Sequence, residues 1–241
     1  MKKLIVINIA IILSLMVLSL IKTQDLEKYF GLISLLLLAI IIFTLLMAFE
    51  SRPSGSKDIA TIAILGAFSA ASRIPFAGIP SFQPSTFIII AVGAVMGPYA
   101  GFMVGIETAL ISNFFLGQGP WTPWQMLAWG LAGVFGSFLK RWIGKKNGIY
   151  ALMVLGAVYG YIYGLIMNIW YWLAFIYPHT IESFLLVWSL SVYFDTLHSI
   201  GNVLFSDVFG IQLLKILIRF KVRFGVFNPQ PLSTLKQSCK E

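Results

Sequence analysis

Charged side chains are scarce in this sequence. Asp, Glu, Lys and Arg make up 11% of its 241 residues, against about 25% in an ordinary soluble domain. Apolar side chains make up 59%, which is more than the interior of a soluble fold of this length can bury. The composition therefore excludes a soluble globular protein and indicates that a lipid bilayer forms part of the solvent.

Cysteine and histidine are also nearly missing. The single cysteine, Cys239, lies in a polar tail, so the chain cannot form an internal disulfide, and two histidines do not make a Cys/His metal cluster. We expect neither a metal nor a cofactor of the protein's own. The sequence lacks a Walker-type phosphate loop, a Gly-rich dinucleotide fingerprint and an H-E-x-x-H motif. Any uphill transport must therefore draw energy from a partner or an ion gradient.

Long apolar runs separated by short polar breaks predict an all-α polytopic membrane protein. A span needs about 20 apolar residues, and the last run is too long for one span, so we predict a short re-entrant or interfacial piece before the final helix. The first run follows two lysines but is too long for a signal peptide, so we expect an uncleaved anchor. The eight predicted helices cover residues 4–21, 30–49, 59–72, 86–96, 98–116, 124–139, 149–177 and 194–220, with the re-entrant piece at 184–192.

The distribution of basic residues predicts the orientation. The net charge is +8, which in a membrane protein indicates basic cytoplasmic loops rather than nucleic-acid binding. Eight helices with a cytoplasmic N-terminus leave only Lys22, Lys28 and Arg73, of 17 Lys and Arg, on the outer side. We therefore predict a cell-membrane protein with both termini in the cytoplasm.

Composition also divides the chain into regions. The first two helices are nearly pure Leu, Ile and Met, whereas the later six are rich in Gly, Ala, Trp and Tyr. We predict a two-helix membrane addition (1–49), a cytoplasmic linker (50–57), a six-helix functional core (58–220) and a basic cytoplasmic tail (221–241).

The outer loops of the core carry candidate binding residues. Residues 117–125 combine Gly and Pro, which fix a non-helical loop, with Trp and Gln side chains that offer stacking faces and amide hydrogen bonds. Residues 75–84 contain three prolines, which predict a stiff lid or wall above Arg73. The side chain of Arg73 either snorkels from the helix end to the membrane interface or binds an anionic group of a ligand. The candidates from these segments are Arg73, Gln83, Asn113, Gln118, Trp121, Trp124 and Gln125.

Ionisable and aromatic side chains within the helices add further candidates. Asp195, His198 and Asn202 share one helical face by their spacing, and ionisable groups at membrane depth are functional candidates by default. Glu107 and Asp207 fall under the same rule, with a structural carboxyl as the equal alternative. An aromatic face at the outer end of residues 149–177 suits a large ring-bearing ligand, and its candidates are Tyr163, Trp170 and Trp172.

A stripe of small residues marks the first core helix. Ala63, Ala67 and Ala71 lie four residues apart and therefore on one face. Small faces allow close approach between helices in lipid. The stripe packs either within the bundle or against a partner.

These features together resemble the substrate-binding (S) component of an energy-coupling factor (ECF) transporter. The resemblance covers about residues 58–220 and includes the stripe, six core helices and the ending His198-x-x-x-Asn202. It implies that Ala63, Ala67 and Ala71 contact a transmembrane coupling protein that sits on two ATPases. The loop 113–126 is similar to the cobalamin-specific branch, which implies capture of the vitamin from outside and delivery by rotation of the subunit in the membrane.

Other interpretations remain open from sequence. The ligand could instead be riboflavin, a queuosine precursor or another vitamin, and His198 is the outward cobalt ligand to consider besides His179. An intramembrane enzyme using Glu107, Asp195 and His198 would need these groups within hydrogen-bond reach of one another or of a shared substrate. A purely structural subunit fits poorly with the polar, aromatic outer loops.

Overall fold

The computed structural model describes residues 29–50, 55–145 and 147–227. The first predicted helix (4–21), half of the predicted linker (51–54), Lys146 and residues 228–241 with Cys239 lie outside the described residues. Two short 3₁₀ segments, Ile74–Phe76 and Ser137–Arg141, follow the second and fifth helices. The described α-helices are α1 (Phe30–Glu50), α2 (Ser56–Arg73), α3 (Ser85–Met96), α4 (Pro98–Leu116), α5 (Thr122–Gly136), α6 (Gly148–Phe175) and α7 (Ile181–Phe224).

The helices form a polytopic membrane bundle. Among the described residues, α2 with its 3₁₀ extension, α4 and α6 are long and apolar enough to cross a bilayer. The short apolar helix α3 is buried along its whole length and lies at the centre of the bundle. It ends at Met96 and is capped by Gly97, whose φ of 107° favours glycine, and α4 begins at once with Pro98. The all-α membrane fold expected from composition is confirmed.

Three glycines allow α3, α4 and α5 to touch backbone to backbone. A Cβ at Gly93 would collide with the carbonyl of Gly133, and a Cβ at Gly133 would collide with the backbone of Gly101. A Cβ at Gly101 would in turn lie 2.7 Å from Cα of Gly93. Because every colliding atom belongs to backbone, no side-chain rotation can relieve the overlap.

This contact predicts a large effect of one methyl group. Gly133→Ala should destabilise the fold by about 3 kcal/mol or more, since overpacking that must move backbone lies at the upper end of such costs. The measurement is thermal unfolding of the detergent-solubilised chain. Gly78→Ala is the matched control, because a Cβ at Gly78 has no atom within 4 Å. Equal melting temperatures for the two variants would contradict the close three-helix contact.

A polar seam joins α6 to α7. Gly156, Gly160 and Gly164 of α6 lie directly against side chains of α7. One of these α7 side chains, Ser199, donates to the carbonyl of Ala157 in α6 at 2.6 Å. The other two α7 residues at the seam are Asp195 and Asn202. Small residues and interhelical hydrogen bonds are the means by which helices associate in lipid, so α6 and α7 form a tightly joined pair.

The last helix differs from the prediction. The expected re-entrant piece (184–192) and the break before residue 194 are wrong, because α7 runs without interruption over 44 residues. Its N-cap, Thr180, accepts a hydrogen bond from the backbone N–H of Ser183. The hydroxyls of Ser189 and Ser191 bond back to carbonyls of their own helix, so these polar residues do not interrupt it. Length alone suggested a break, but the segment contains neither Gly nor Pro to make one.

Helix α1 packs on the side of the bundle formed by α5 and α6. Gly31 lies against Ala174, near the end of α6. Leu38 and Ile42 join a buried cluster that includes Trp124 and Trp172. The aromatic side chains of this cluster therefore hold α1 on the core.

Candidate functional site

Arg73, at the end of α2, is the centre of a polar network. Its Nε donates to Oε1 of Gln83 at 2.7 Å. Its Nη1 donates to Oγ of Ser112 and to Oδ1 of Asn113, both at 2.8 Å. The guanidinium carbon also lies 5.0 Å from the ring centroid of Trp129, within the range of a cation–π contact. One side chain thus ties the 75–84 loop to the ends of α2 and α4 and to the middle of α5.

The network continues from Asn113 into the 117–121 loop. Asn113 is fully enclosed, with 1% of its surface exposed, and its Nδ2 donates to Oε1 of Gln125 at 2.7 Å and to Oγ1 of Thr122 at 3.0 Å. Thr122 donates to Oε1 of Gln118 at 2.9 Å, and Gln118 donates to the carbonyl of Leu110 at 3.0 Å. The loop is therefore a fixed structure, although Gln118 itself is exposed.

A second branch leads from Trp129 to α7. The indole N–H of Trp129 donates to Oγ1 of Thr86 at 2.9 Å, and the same hydroxyl lies 2.8 Å from Nε2 of His198. The imidazole makes an edge-on contact with the ring of Tyr163 at 4.8 Å between centroids. Tyr163 in turn packs on Trp129 at 5.3 Å. His198 is buried and engaged on two sides in this structure.

Aromatic side chains border the network at the loop surface. The rings of Trp121 and Trp170 meet edge to face at 6.2 Å between centroids, and both side chains are partly exposed. Phe76 and Phe82 of the 75–84 loop pack on Phe205 of α7. The loop is thus attached to the bundle by aromatic packing, while the Trp pair remains open to a ligand.

The other four predicted binding residues occupy different surroundings. Trp124 and Trp172 lie in the cluster that holds α1, and the indole N–H of Trp172 donates to Ser183 at 2.8 Å. Asp195 and Asn202 lie in the α6–α7 seam, where Asp195 accepts from Ser191 at 2.9 Å and Asn202 donates to the carbonyl of Gly156 at 2.9 Å. All four side chains are buried in this structure.

The remaining ionisable candidates do not converge. Glu107 packs against Gly66 of α2, and its buried Oε2 has no hydrogen-bond partner among the described residues. Asp207 is exposed on α7. The groups of the alternative catalytic set, Glu107, Asp195 and His198, each contact different residues. In the part of the chain that the structure describes, no three His, Cys, Asp or Glu side chains are grouped as metal ligands.

Four residues of the network were not predicted from sequence: Thr86, Ser112, Thr122 and Trp129. The sequence spacing partly indicated Trp129, because it lies four residues after the predicted residue Gln125 and therefore on the same face of α5. Ser112 and Thr122 are sequence neighbours of predicted residues. Nothing in the sequence pairs Thr86 with His198, because that contact depends on how α3 and α7 are placed against each other.

The small-residue stripe of α2 faces outward. Ala63, Ala67 and Ala71 are exposed, whereas Gly66 and Ala70, on the adjoining side of the helix, are buried. Ile64 and Phe68 beside the stripe are also largely exposed. The stripe is therefore free to meet another helix.

Comparison with known proteins identifies the family. A family model described as the substrate-specific component of ECF transporters matches residues 57–218. The UPF0397 protein of Vibrio atlanticus (strain LGP32) is 30% identical over 84 residues, which cover 33% of this chain and 46% of that protein. A UPF0397 protein of Aliivibrio fischeri (strain MJ11) is also 30% identical, over 45% of its length. The chain spans about half the length of the curated relatives it matches, and no solved structure matches it.

The family match covers the whole Arg73 network and the exposed alanine face. Members of this family are transport subunits that bind a substrate, not enzymes. They work with an ECF module made of a coupling protein and ATPases. This chain therefore belongs to the substrate-specific (S) components of ECF transporters.

Proposed function

We propose that this S component binds cobalamin outside the cell and delivers it inward as part of an ECF-type vitamin uptake transporter. The observation that carries the proposal is the fixed 117–121 loop, in which Gln118 is exposed while Thr122 and Asn113 hold it in place. The surrounding segment, 113–126, is similar to the cobalamin-specific branch of the family. A preformed loop reduces the ordering cost that a large ligand would otherwise have to meet.

The chemistry of the loop surface suits a corrin ring. The partly exposed Trp121 and Trp170 offer aromatic faces and edges. The exposed Gln118 amide, which already donates to Leu110 and accepts from Thr122, retains a second N–H and a second lone pair for a ligand. His198 is buried and hydrogen-bonded to Thr86. Binding by shape, aromatic contact and amide hydrogen bonds is therefore favoured over coordination of cobalt by His198.

Delivery is proposed to depend on partners. The exposed face of Ala63, Ala67 and Ala71 would pack on the transmembrane coupling protein, and two ATPases would drive rotation of the subunit in the membrane. We place both termini in the cytoplasm, because this orientation leaves Arg73 as the only outer basic residue of the core. The Arg73 network then lies at the outer surface, where a vitamin arrives.

Calorimetric titration of the purified, detergent-solubilised chain tests the ligand. We expect one-to-one binding of cobalamin and no binding of riboflavin. Gln118→Ala and Trp121→Ala should each weaken cobalamin binding about tenfold, through loss of hydrogen bonds and of aromatic contact area. Gln212→Ala is the matched control, since Gln212 is exposed on α7 away from the loop.

Two results would contradict the proposal. A folded chain that fails to bind cobalamin but binds riboflavin, a queuosine precursor or another vitamin would keep the family and replace the ligand. Tight cobalamin binding that neither loop variant weakens would move the site away from residues 117–121.

A further inference from the structure

A basic cavity lies between α5 and α6, at the opposite end of the bundle from the Arg73 network. It has a volume of about 430 Å³ and is lined by Arg141, Trp142, Lys145 and Asn147. Trp170, beside the network, and Asn147, beside the cavity, are 23 residues apart along α6. That separation is about 35 Å at 1.5 Å per residue, close to the hydrocarbon thickness of a bilayer of about 30 Å. The cavity therefore lies at the other membrane interface.

The charges that line this cavity are uncompensated within the described chain. Arg141 and Lys145 are exposed, and no described carboxylate forms an ion pair with either. Asn147, the N-cap of α6, makes no side-chain cap hydrogen bond. The backbone N–H of Gly148 donates to the carbonyl of Lys145 at 3.0 Å, and the other N–H groups of the first helical turn lack partners within the helix and carry partial positive charge. The cavity thus combines two cations, an amide and a helix N-terminus, which together favour a phosphate group.

Apolar surface runs from this cavity toward the middle of the membrane. Tyr150, Val154 and Val158 follow Asn147 at spacings of three and four residues, so they share one face of α6. Their side chains are 64%, 64% and 51% exposed. A strip of this kind beside a basic pocket matches a molecule with an anionic head and an apolar tail.

The aromatic ring in the cavity fits the same depth. The guanidinium carbon of Arg141 lies 5.5 Å from the ring centroid of Trp142, and Trp is the residue enriched at the level of lipid headgroups. Phe138, one turn before Trp142, is 66% exposed. An acidic surface of a soluble protein would leave this aromatic and apolar area uncovered, whereas a lipid covers both.

We infer that this cavity is a binding site for the phosphate headgroup of an anionic phospholipid, with an acyl chain lying along the exposed face of α6. The phosphodiester would accept hydrogen bonds from Arg141, Lys145 and Asn147. Basic pockets between transmembrane helices are known to recognise such headgroups. The site is independent of the vitamin and of its identity.

Native mass spectrometry of the full chain with short-chain phosphatidylglycerol or phosphatidylcholine tests the inference. We expect preferential retention of phosphatidylglycerol by the unmodified chain. The double variant R141Q/K145Q should weaken phosphatidylglycerol binding roughly 30-fold, as expected for loss of two cations near a headgroup. The matched control is K215Q/R219Q, which removes two exposed cations from α7 and should change the affinity less than threefold.

Competition measurements distinguish a lipid headgroup from a soluble phosphate as the ligand of the cavity. Inorganic phosphate and glycerol phosphate should not displace the lipid, because neither occupies the apolar face of α6. Displacement by either would overturn the lipid assignment in favour of a soluble phosphate ligand. The site itself would be overturned if the chain retained the two lipids equally. It would also be overturned if R141Q/K145Q kept the selectivity for phosphatidylglycerol at an unchanged melting temperature. An acidic surface of a partner protein would then be the remaining occupant.

Discussion

Replacing Arg73 with alanine should weaken cobalamin binding at least 100-fold. The guanidinium makes three hydrogen bonds and one cation–π contact that join the 75–84 loop to α4 and α5. Hydrogen bonds to charged groups contribute about 1.5–3 kcal/mol each, and a 100-fold loss corresponds to about 2.7 kcal/mol. Calorimetric titration of the purified variant gives the affinity directly.

The variant Arg73→Lys distinguishes the contribution of the positive charge to cobalamin affinity from that of the guanidinium's hydrogen-bond geometry. Arg73→Lys keeps the cation but loses the planar fork that reaches Gln83, Ser112 and Asn113 together, so we expect an intermediate loss of about tenfold. Arg219→Ala, an exposed arginine on α7, controls for loss of one positive charge. If Arg73→Ala folded and bound cobalamin as tightly as the unmodified chain, the network would have no part in the site.

Replacing Ala67 with tryptophan should lower uptake at least tenfold while leaving cobalamin binding intact. Ala67 is the middle residue of the exposed small face of α2. A bulky side chain there prevents the close helix approach that small residues permit in lipid. We expect uptake by cells that depend on this chain and its ECF module to fall at least tenfold, since the helix–helix contact is lost. Cobalamin affinity of the purified variant should stay within twofold, because Ala67 faces away from the network.

The matched control is Ala39→Trp, which adds the same bulk to an exposed alanine of α1. Uptake by this variant should remain near that of the unmodified chain. Equal loss of uptake in both variants would point to a general effect of added bulk in the membrane. Full uptake by Ala67→Trp would remove the stripe from the partner interface.

Sequence predicted local boundaries where single residues determine them. The bounds of α4, residues 98–116, agree with the structure, because Pro98 favours a helix start and Gly117, with a φ of 110°, favours a helix end. The grouping of Arg73, Asn113 and Gln125 near the loops was also predictable from topology, since all three lie close to helix ends on one side of the membrane.

The interior connections were not predictable in the same way. The link from Trp129 through Thr86 to His198 depends on the relative rotation of three helices that are far apart in sequence. The same holds for Asp195 and Asn202, whose shared face was predicted but whose glycine partners on α6 were not. Periodicity identifies a face of a helix, but it does not say which neighbour that face meets.

The unbroken last helix gives the protein a rigid lever. At 1.5 Å per residue, the 44 residues of α7 extend about 66 Å, roughly twice the hydrocarbon thickness of a bilayer. His198 of α7 lies beside Thr86, near the Arg73 network. Lys221, near the other end of α7, donates from Nζ to the carbonyl of Val95 at 2.7 Å. A change in tilt of 10° would displace Lys221 relative to His198, which lie 23 residues or about 35 Å apart along the helix, by about 6 Å. Tilting near the Arg73 network and displacement at the Lys221 end are therefore coupled, because no break in α7 separates the two.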